Sequence, residues 1–246
     1  MIWLLMACSQ KEPTQMSESQ VVKEKVEQVA DQAENNKVEP SVVLDGVSIS
    51  VVWDDGDTFH GKAADGTKIK ARLSGYNTLE SYGPVHQWGE WTEQELFAFA
   101  KESGVFASKT VWECVDTKKG GGYGRVLVDC PGLRRAMLEN GYAHPFSIGG
   151  PAPAADMTSL QVGIDNKAGI WAKGAPKSLI TSLHSQDEKP DKEVYNRVCD
   201  LTTGECAERV HTDIYETCQK VCVEDSCMTY VPYKRRYGDN RAECIQ

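Results

Sequence analysis

The chain of 246 residues has no uninterrupted apolar run of 18 or more residues, and only 8% of its residues are aromatic. The first absence excludes a transmembrane helix within this sequence, because such a helix needs about 20 consecutive apolar residues. A basic excess is also missing, since 27 Lys and Arg stand against 36 Asp and Glu and give a net charge of −9. The part between about 46 and 180 is nearly neutral. This balance argues against tight non-specific binding to nucleic acid but does not exclude a locally basic site.

Metal-binding patterns of histidine and cysteine are missing as well. The five histidines form no i, i+4 pair and no H-x-H pair, which argues against a histidine-metal nuclease. No two cysteines form a C-x-x-C pair, which argues against the alternative of a zinc site.

Cysteine itself is abundant, with nine residues of which six fall in the last 50 positions. This usage predicts an oxidising compartment. At the N-terminus, the short apolar run from Met1 to Ala7 ends in Leu5-Met6-Ala7-Cys8, which resembles a bacterial lipobox. The resemblance implies export, cleavage before Cys8 and lipidation of its sulfur, hence a lipoprotein of the outer membrane or cell envelope, or a secreted protein. The alternative is an apolar N-terminus with an incidental thiol.

Composition divides the chain into five parts. We predict a lipoprotein signal-like segment at 1–8, an acidic tether at 9–45, a folded domain at 46–180, a linker at 181–192 and a cysteine-rich unit at 193–246. Val22, Val26, Val29 and Ala33 have helical spacing, so the tether is either one amphipathic helix or solvated and disordered.

The folded domain is predicted to be α+β, with five short strands and about three helices. The β-rich runs are Val47–Trp53, Thr58–Ala63, Lys68–Leu73, Lys109–Val115 and Val126–Cys130, and the helical patterns cover Glu93–Glu102, Leu133–Asn140 and Met157–Ala168. Gly141 is expected to end the second helix as its C′ residue. Because no strand-helix-strand rhythm occurs, a small closed barrel of the OB type is favoured over a parallel sheet.

Several short motifs then occur in a fixed order. They are Asp55-Gly56-Asp57-Thr58, Arg72-Leu73, Asn77-Thr78-Leu79-Glu80, Trp88-Gly89, Tyr123-Gly124-Arg125 and Gly169-Ile170-Trp171. In order and spacing, the stretch from Val47 to Trp171 resembles the staphylococcal nuclease (thermonuclease) family. The resemblance implies an OB-fold and Ca²⁺-dependent hydrolysis of phosphodiester bonds in DNA and RNA, and we expect the chain to act as a monomer.

The chemistry of these residues agrees with that implied function. Arg72 and Arg125 suit phosphate because a guanidinium is planar, always charged and bidentate. Glu80 would orient or deprotonate the attacking water. Asp57, the side-chain oxygen of Asn77 and the main-chain carbonyl of Thr78 would hold Ca²⁺, with Asp55 in the outer shell. Such a site stabilises the transition state of phosphodiester hydrolysis.

The motifs depart from the family at two positions. The family has Asp and Pro where this chain has Asn77 and Leu79. Because Ca²⁺ affinity follows ligand charge, Asn77 predicts a weaker or differently supported metal site. Trp88 and Trp91 are either base-stacking platforms or part of a core lid, and we expect Trp88 and Tyr123 to contact the substrate.

The cysteines predict a disulfide framework. Cys114 and Cys130 are expected to bridge the hairpin that carries Arg125, the alternative being two buried thiols. In the C-terminal unit Cys199, Cys206, Cys218, Cys222, Cys227 and Cys244 predict three disulfides that replace a hydrophobic core, in any of 15 connectivities. Val210–Val223 has a helical pattern that would put Cys218 and Cys222 on one face.

Near the C-terminus Lys234-Arg235-Arg236 is interleaved with Tyr230, Tyr233 and Tyr237. This segment is either a nucleic-acid contact patch or a solvated charge run. Three functions therefore stay open: an exported calcium-dependent nuclease, an OB-fold that binds nucleic acid without cutting it, and a cell-surface interaction protein that uses the cysteine-rich unit.

Overall fold

The structure, a computed structural model, describes residues 41–245, which belong to one compact unit. Cys8, the signal-like segment and most of the predicted tether lie outside the described residues. The helices in this range are α1 (Glu93–Ala107), α2 (Pro131–Glu139) and α3 (Ala154–Asp165). The strands are β1 (Ser41–Leu44), β2 (Val47–Trp53), β3 (Thr58–Lys62), β4 (Lys68–Leu73), β5 (Tyr76–Thr78), β6 (Val85–Trp88), β7 (Trp112–Gly120), β8 (Val126–Asp129), β9 (Ala143–Pro145), β10 (Ser147–Ile148), β11 (Ser178–Ser182), β12 (Val194–Asp200), β13 (Glu205–His211), β14 (Lys220–Val223) and β15 (Ser226–Thr229). None of the helices described here has the length and apolarity needed to span a membrane.

A closed barrel dominates the fold, with strand order β1-β2-β3-β4-β8-β7. The α+β class, the barrel and the three helices are confirmed, but the barrel has six strands and the prediction of five is wrong. The additional strand, β1, lies in the segment predicted to be a tether and pairs with both β2 and β7. Asp45 and Gly46 join β1 to β2 in a two-residue turn with φ of 49° and 81°. Two positive φ angles match the right-handed twist of a tight hairpin, so this turn sets the register.

The interior of the barrel is filled by side chains from its strands and from α2. The fully buried ones include Phe59, Leu73, Leu133 and Met137. The predicted Cys114–Cys130 disulfide is present, and it follows directly from the pairing of Val115 with Asp129 across β7 and β8.

Local capping signals explain where α1 begins and where α2 begins and ends. Thr92 and Glu95 form a reciprocal capping box at the start of α1, with Thr92 Oγ1 accepting from the Glu95 amide at 3.2 Å. Pro131 occupies the first turn of α2. Gly141 follows that helix with φ of 67°, as predicted, and a Cβ there would lie 2.0 Å from the carbonyl oxygen of Ala168. Only glycine fits this helix end.

The C-terminal residues form strands rather than the predicted helix over Val210–Val223. That stretch contains the end of β13, a loop and β14, so Cys218 and Cys222 do not share a helix face. The three disulfides there are Cys199–Cys206, Cys218–Cys244 and Cys222–Cys227. Two of them join residues directly opposite each other, on β12 and β13 and on β14 and β15. The helical pattern fails because these cross-strand bonds and ladders override local propensity.

Disulfides are not the only support of this region, contrary to the prediction that they replace a core. Val198, Tyr215, Met228 and Tyr230 are buried together beneath the β11–β12 ladder. Strand β15 also pairs with β6, which precedes α1 in the chain, in the three-stranded sheet β14-β15-β6. The C-terminal region is thereby joined by main-chain hydrogen bonds to β6, the strand that follows Glu80.

Candidate active site

The turn between β2 and β3 brings the Asp55-Gly56-Asp57 motif to one end of the barrel. The Asp57 amide donates to Asp55 Oδ1 at 3.0 Å, and the Gly56 amide donates to Ser103 Oγ on α1 at 3.0 Å. A Cβ at Gly56 would lie 2.7 Å from Thr78 Cγ2 and 2.8 Å from Ser103 Cβ. Glycine is therefore required for this close approach, which turns the Asp57 carboxylate toward β5.

Asp57 lies at the centre of a network of hydrogen bonds and is only 2% exposed. Its Oδ2 accepts from both the amide and the hydroxyl of Thr78, at 2.8 and 3.0 Å. Its Oδ1 accepts from Thr58 Oγ1 at 3.0 Å and forms an ion pair with Arg72. Since Thr58 stands opposite Arg72 in the β3–β4 ladder, strand register places these groups together. Arg72 also donates to the side-chain oxygen of Asn77.

Arg125 reaches the same network from the β7–β8 hairpin. Its Nη1 lies 3.5 Å from Thr58 Oγ1, which itself donates to Asp57. Its Nε and Nη2 donate to the carbonyls of Gly122 and Gly121 at 3.2 and 3.1 Å. The two guanidinium groups, Arg72 and Arg125, are thus connected through one threonine and one aspartate and face the same space.

Glu80 follows β5 and lies within electrostatic range of both arginines. Burial and then the nearby Asp55 carboxylate raise its pKa, while Arg72 lowers it. Burial also raises the pKa of Asp55 to about 6, opposed by Arg72 and assisted by Asp54. A carboxylate whose pKa is raised toward neutrality is a better proton acceptor at physiological pH than one held near 4. Glu80 therefore has the electrostatic setting of a general base.

These residues line one cleft with a volume of about 1370 Å³. Its walls carry seven Lys or Arg and five Asp or Glu side chains, so the cleft is net positive in a chain whose total charge is −9. A locally basic cleft attracts a polyanion even when the whole protein is acidic.

The predicted calcium ligands fit Ca²⁺ in type but provide little charge. Asp57 Oδ1 and Asn77 Oδ1 both point at the Arg72 guanidinium, so these oxygens converge on a place that already holds a positive group. The Thr78 carbonyl accepts from the side-chain Nδ2 of Asn77 at 3.1 Å. Within residues 41–245 no group of three or more His, Cys, Asp or Glu side chains is arranged to hold a metal ion. One carboxylate, one amide oxygen and one carbonyl are hard ligands suited to a weak calcium site.

The two predicted substrate contacts have different environments. Tyr123 is 91% exposed at the cleft, has φ of 52°, and its ring centroid lies 5.7 Å from Arg125 Cζ. Trp88 is 3% exposed, does not line the cleft, and donates from its indole nitrogen to the Gly174 carbonyl at 3.0 Å. Trp91 is buried likewise. The prediction that Trp88 contacts substrate is therefore wrong, because the tryptophans belong to the core lid.

The same cleft is lined by residues that the site prediction did not include. They come from the C-terminal region and comprise His184, Tyr195, Arg197, Tyr233, Arg236 and Tyr237. Sequence offered one signal for them, the alternation of tyrosines and basic residues near position 235. The β6–β15 pairing places the start of that segment next to the strand that follows Glu80.

No protein-family model matches this chain, and a search of curated proteins finds no significant match. The geometry of the cleft therefore carries the functional inference.

Proposed function

We propose that the chain is a calcium-dependent nuclease that hydrolyses phosphodiester bonds in DNA and RNA. The observation that carries this proposal is the convergence of Arg72, Arg125 and Glu80, from three separate elements, in one net-positive cleft. Two fixed guanidinium groups facing one carboxylate are suited to a phosphate whose negative charge increases during attack.

In the proposed reaction, the arginines bind the non-bridging oxygens of the scissile phosphate. Glu80 takes a proton from a water molecule, and the oxygen of that water bonds to phosphorus while the opposite P–O bond breaks. The leaving oxygen takes a proton from solvent. Because Asp57 and Thr58 hold both guanidinium groups in place before substrate arrives, little reorganisation is needed in the transition state.

Asp57, Asn77 and the Thr78 carbonyl would hold the calcium ion, with Asp55 beyond them. When bound, Ca²⁺ supplies positive charge next to the phosphate oxygens. Because these oxygens also contact Arg72, the arginine and the ion would share ligands, which is consistent with weak metal binding.

We also propose that the protein works outside the cytoplasm, as an envelope lipoprotein anchored at Cys8 or as a secreted monomer. The four disulfides among residues 41–245 are compatible with export, since such bonds persist in oxidising compartments.

The full chain should be tested for cleavage of single-stranded DNA and RNA with Ca²⁺ and with chelator. We expect Arg125→Ala to lower kcat by roughly 10²-fold, as the loss of one transition-state donor does. Glu80→Gln should lower it at least as much, because the general base is lost. Arg135→Ala and Glu90→Gln are matched surface controls that should keep wild-type rates, since Arg135 is exposed on α2 and Glu90 is exposed before α1. An unchanged rate in either site variant would refute its assigned role.

A second candidate is an OB-fold that binds nucleic acid without cutting it. The neutral Asn77 favours this alternative, because it leaves Asp57 as the one carboxylate among the proposed metal ligands and so weakens Ca²⁺ binding. A folded wild-type chain that binds oligonucleotides and cuts none of them at any Ca²⁺ concentration would establish it.

A further inference from the structure

Three tyrosines form an aromatic rim along the cleft beside Glu80. We call Tyr82, Tyr233 and Tyr237 the tyrosine rim. The ring centroids of Tyr82 and Tyr237 lie 6.2 Å apart with planes tilted by 32°, and those of Tyr233 and Tyr237 lie 5.7 Å apart. The three side chains are 47%, 68% and 49% exposed. Large aromatic surfaces thus face solvent at the mouth of a site built for phosphate.

Arg236 adds a positive charge within the rim. Its Nε donates to the Val231 carbonyl at 2.9 Å, which fixes the direction of the guanidinium. Its side chain crosses Gly83, whose φ of 134° favours glycine and where a Cβ would lie 2.6 Å from Arg236 Cδ. Arg236 lies close enough to Glu80 to lower the pKa of that carboxyl.

The segment that carries Tyr233, Arg236 and Tyr237 is attached to the body of the protein on both sides. Before it, Val231 is fully buried and packs with Val85 of β6. After it, Ala242 is fully buried in the same cluster, and its amide donates to the Arg235 carbonyl at 2.9 Å. The Cys218–Cys244 disulfide closes the segment against β14. This segment is therefore preorganised, which lowers the entropy lost when a ligand binds.

We propose that the tyrosine rim and Arg236 form a subsite for a single-stranded nucleic acid, with unstacked bases on the tyrosines and a neighbouring phosphate on Arg236. This inference rests on the proposed function, because it assigns the scissile phosphate to Arg72 and Glu80 in the same cleft. Bases stack on aromatic side chains only when they are free of a duplex, so the rim selects single strands with little base preference. The cysteine-rich region is thus a part of the substrate-binding site.

Binding can be measured separately from cleavage. The full chain carrying Glu80→Gln, in chelator, is titrated with a short fluorescein-labelled oligothymidylate and with a duplex of the same length. We expect Tyr237→Ala to weaken oligothymidylate binding by about tenfold, the loss of one stacked base, and Tyr237→Phe to restore it. Ile214→Ala, which removes an exposed side chain outside the cleft, should leave affinity unchanged.

The charge of Arg236 has its own test. Arg236→Ala should reduce the slope of log affinity against log salt by about 0.7, the value for one phosphate contact on a single strand. Arg209→Ala, a matched change at an exposed arginine outside the cleft lining, should leave the slope unchanged.

The outcomes separate this inference from the proposed function. A wild-type chain that cuts, combined with equal affinity of the Tyr237→Ala variant and its parent, overturns the subsite and keeps the nuclease. Loss of binding in Tyr237→Phe as large as in Tyr237→Ala overturns base stacking. A wild-type chain that does not cut, but whose binding weakens in Tyr237→Ala and recovers in Tyr237→Phe, supports the subsite and refutes hydrolysis. A parent that binds no oligothymidylate overturns the subsite, whereas hydrolysis is decided by cleavage with the wild-type chain and Ca²⁺.

Discussion

Acidification should destabilise the fold through His86, which lies on β6 and is only 3% exposed. Neither ring nitrogen has a hydrogen-bond partner among residues 41–245. Burial, together with a smaller contribution from the buried His144, lowers the pKa of His86 to about 3. The ordinary value in an unfolded chain is about 6.5. Between these two pKa values the unfolded chain binds a proton that the native chain does not, so the free energy of unfolding falls as the pH falls.

The size of this effect follows from the two pKa values. From about pH 7.5 to about pH 5, protonation of unfolded His86 lowers the free energy of unfolding by about 2 kcal/mol. His144, whose pKa burial lowers to about 4, adds about 2 kcal/mol of the same sign. Asp55 acts in the opposite direction by about 1 kcal/mol, because its raised pKa makes the native state bind the extra proton.

A comparison of variants isolates the contribution of His86. Urea unfolding of wild type and of His86→Leu is measured at about pH 7.5 and at about pH 5. The free energy of unfolding falls between the two pH values in each protein, and this fall should be smaller in the variant by about 2 kcal/mol. Any cavity left by the substitution cancels in this comparison, since it acts at both pH values. Equal losses in wild type and His86→Leu would refute the reasoning.

Two further predictions concern the hairpin of Arg125 and the metal site. Cys114 and Cys130 are separated by 16 positions in the sequence. Replacing both by Ser should lower the free energy of unfolding by about 3 kcal/mol, because the unfolded chain then gains the entropy that closing a loop of this length removes. Urea unfolding measures this loss, and equal midpoints would contradict it. Asn77→Asp should lower the Ca²⁺ concentration for half-maximal cleavage and for half-maximal thermal stabilisation, because it adds a carboxylate to the ligand set. An unchanged or higher requirement for Ca²⁺ in both measurements would contradict the weak-site interpretation.

Much of the barrel could be predicted from local patterns. The strands β2, β3 and β4 and the glycine end of α2 are marked by alternation and by turn residues. The extra strand β1 carried a signal too, since Asp45-Gly46 between two β-rich runs is typical of a tight hairpin. The polar composition before it favoured a tether instead.

The remaining errors arise from contacts between residues that are distant in sequence. No local pattern distinguishes the helical spacing of Val210–Val223 from the actual strands, which are fixed by pairing and by disulfides. The burial of Trp88 depends on Trp171, which is distant in sequence and whose ring centroid lies 6.0 Å from that of Trp88. Local sequence around Trp88 does not show this contact. Arg72 lies opposite Thr58 because β3 and β4 are neighbours in sequence and pair as a hairpin. Arg236, in contrast, reaches the cleft through the pairing of two strands that are distant in sequence.

The pairing of β6 with β15 also sets the order in which the cleft can be assembled. The two strands are separated by more than half of the 246 residues. A nascent chain therefore presents β6 as an unpaired edge, open to association with other chains, until β15 has been made. Under the proposed function, the substrate-binding wall is incomplete until then, so a newly made polypeptide would hold single-stranded nucleic acid poorly until β15 and the segment after it have formed.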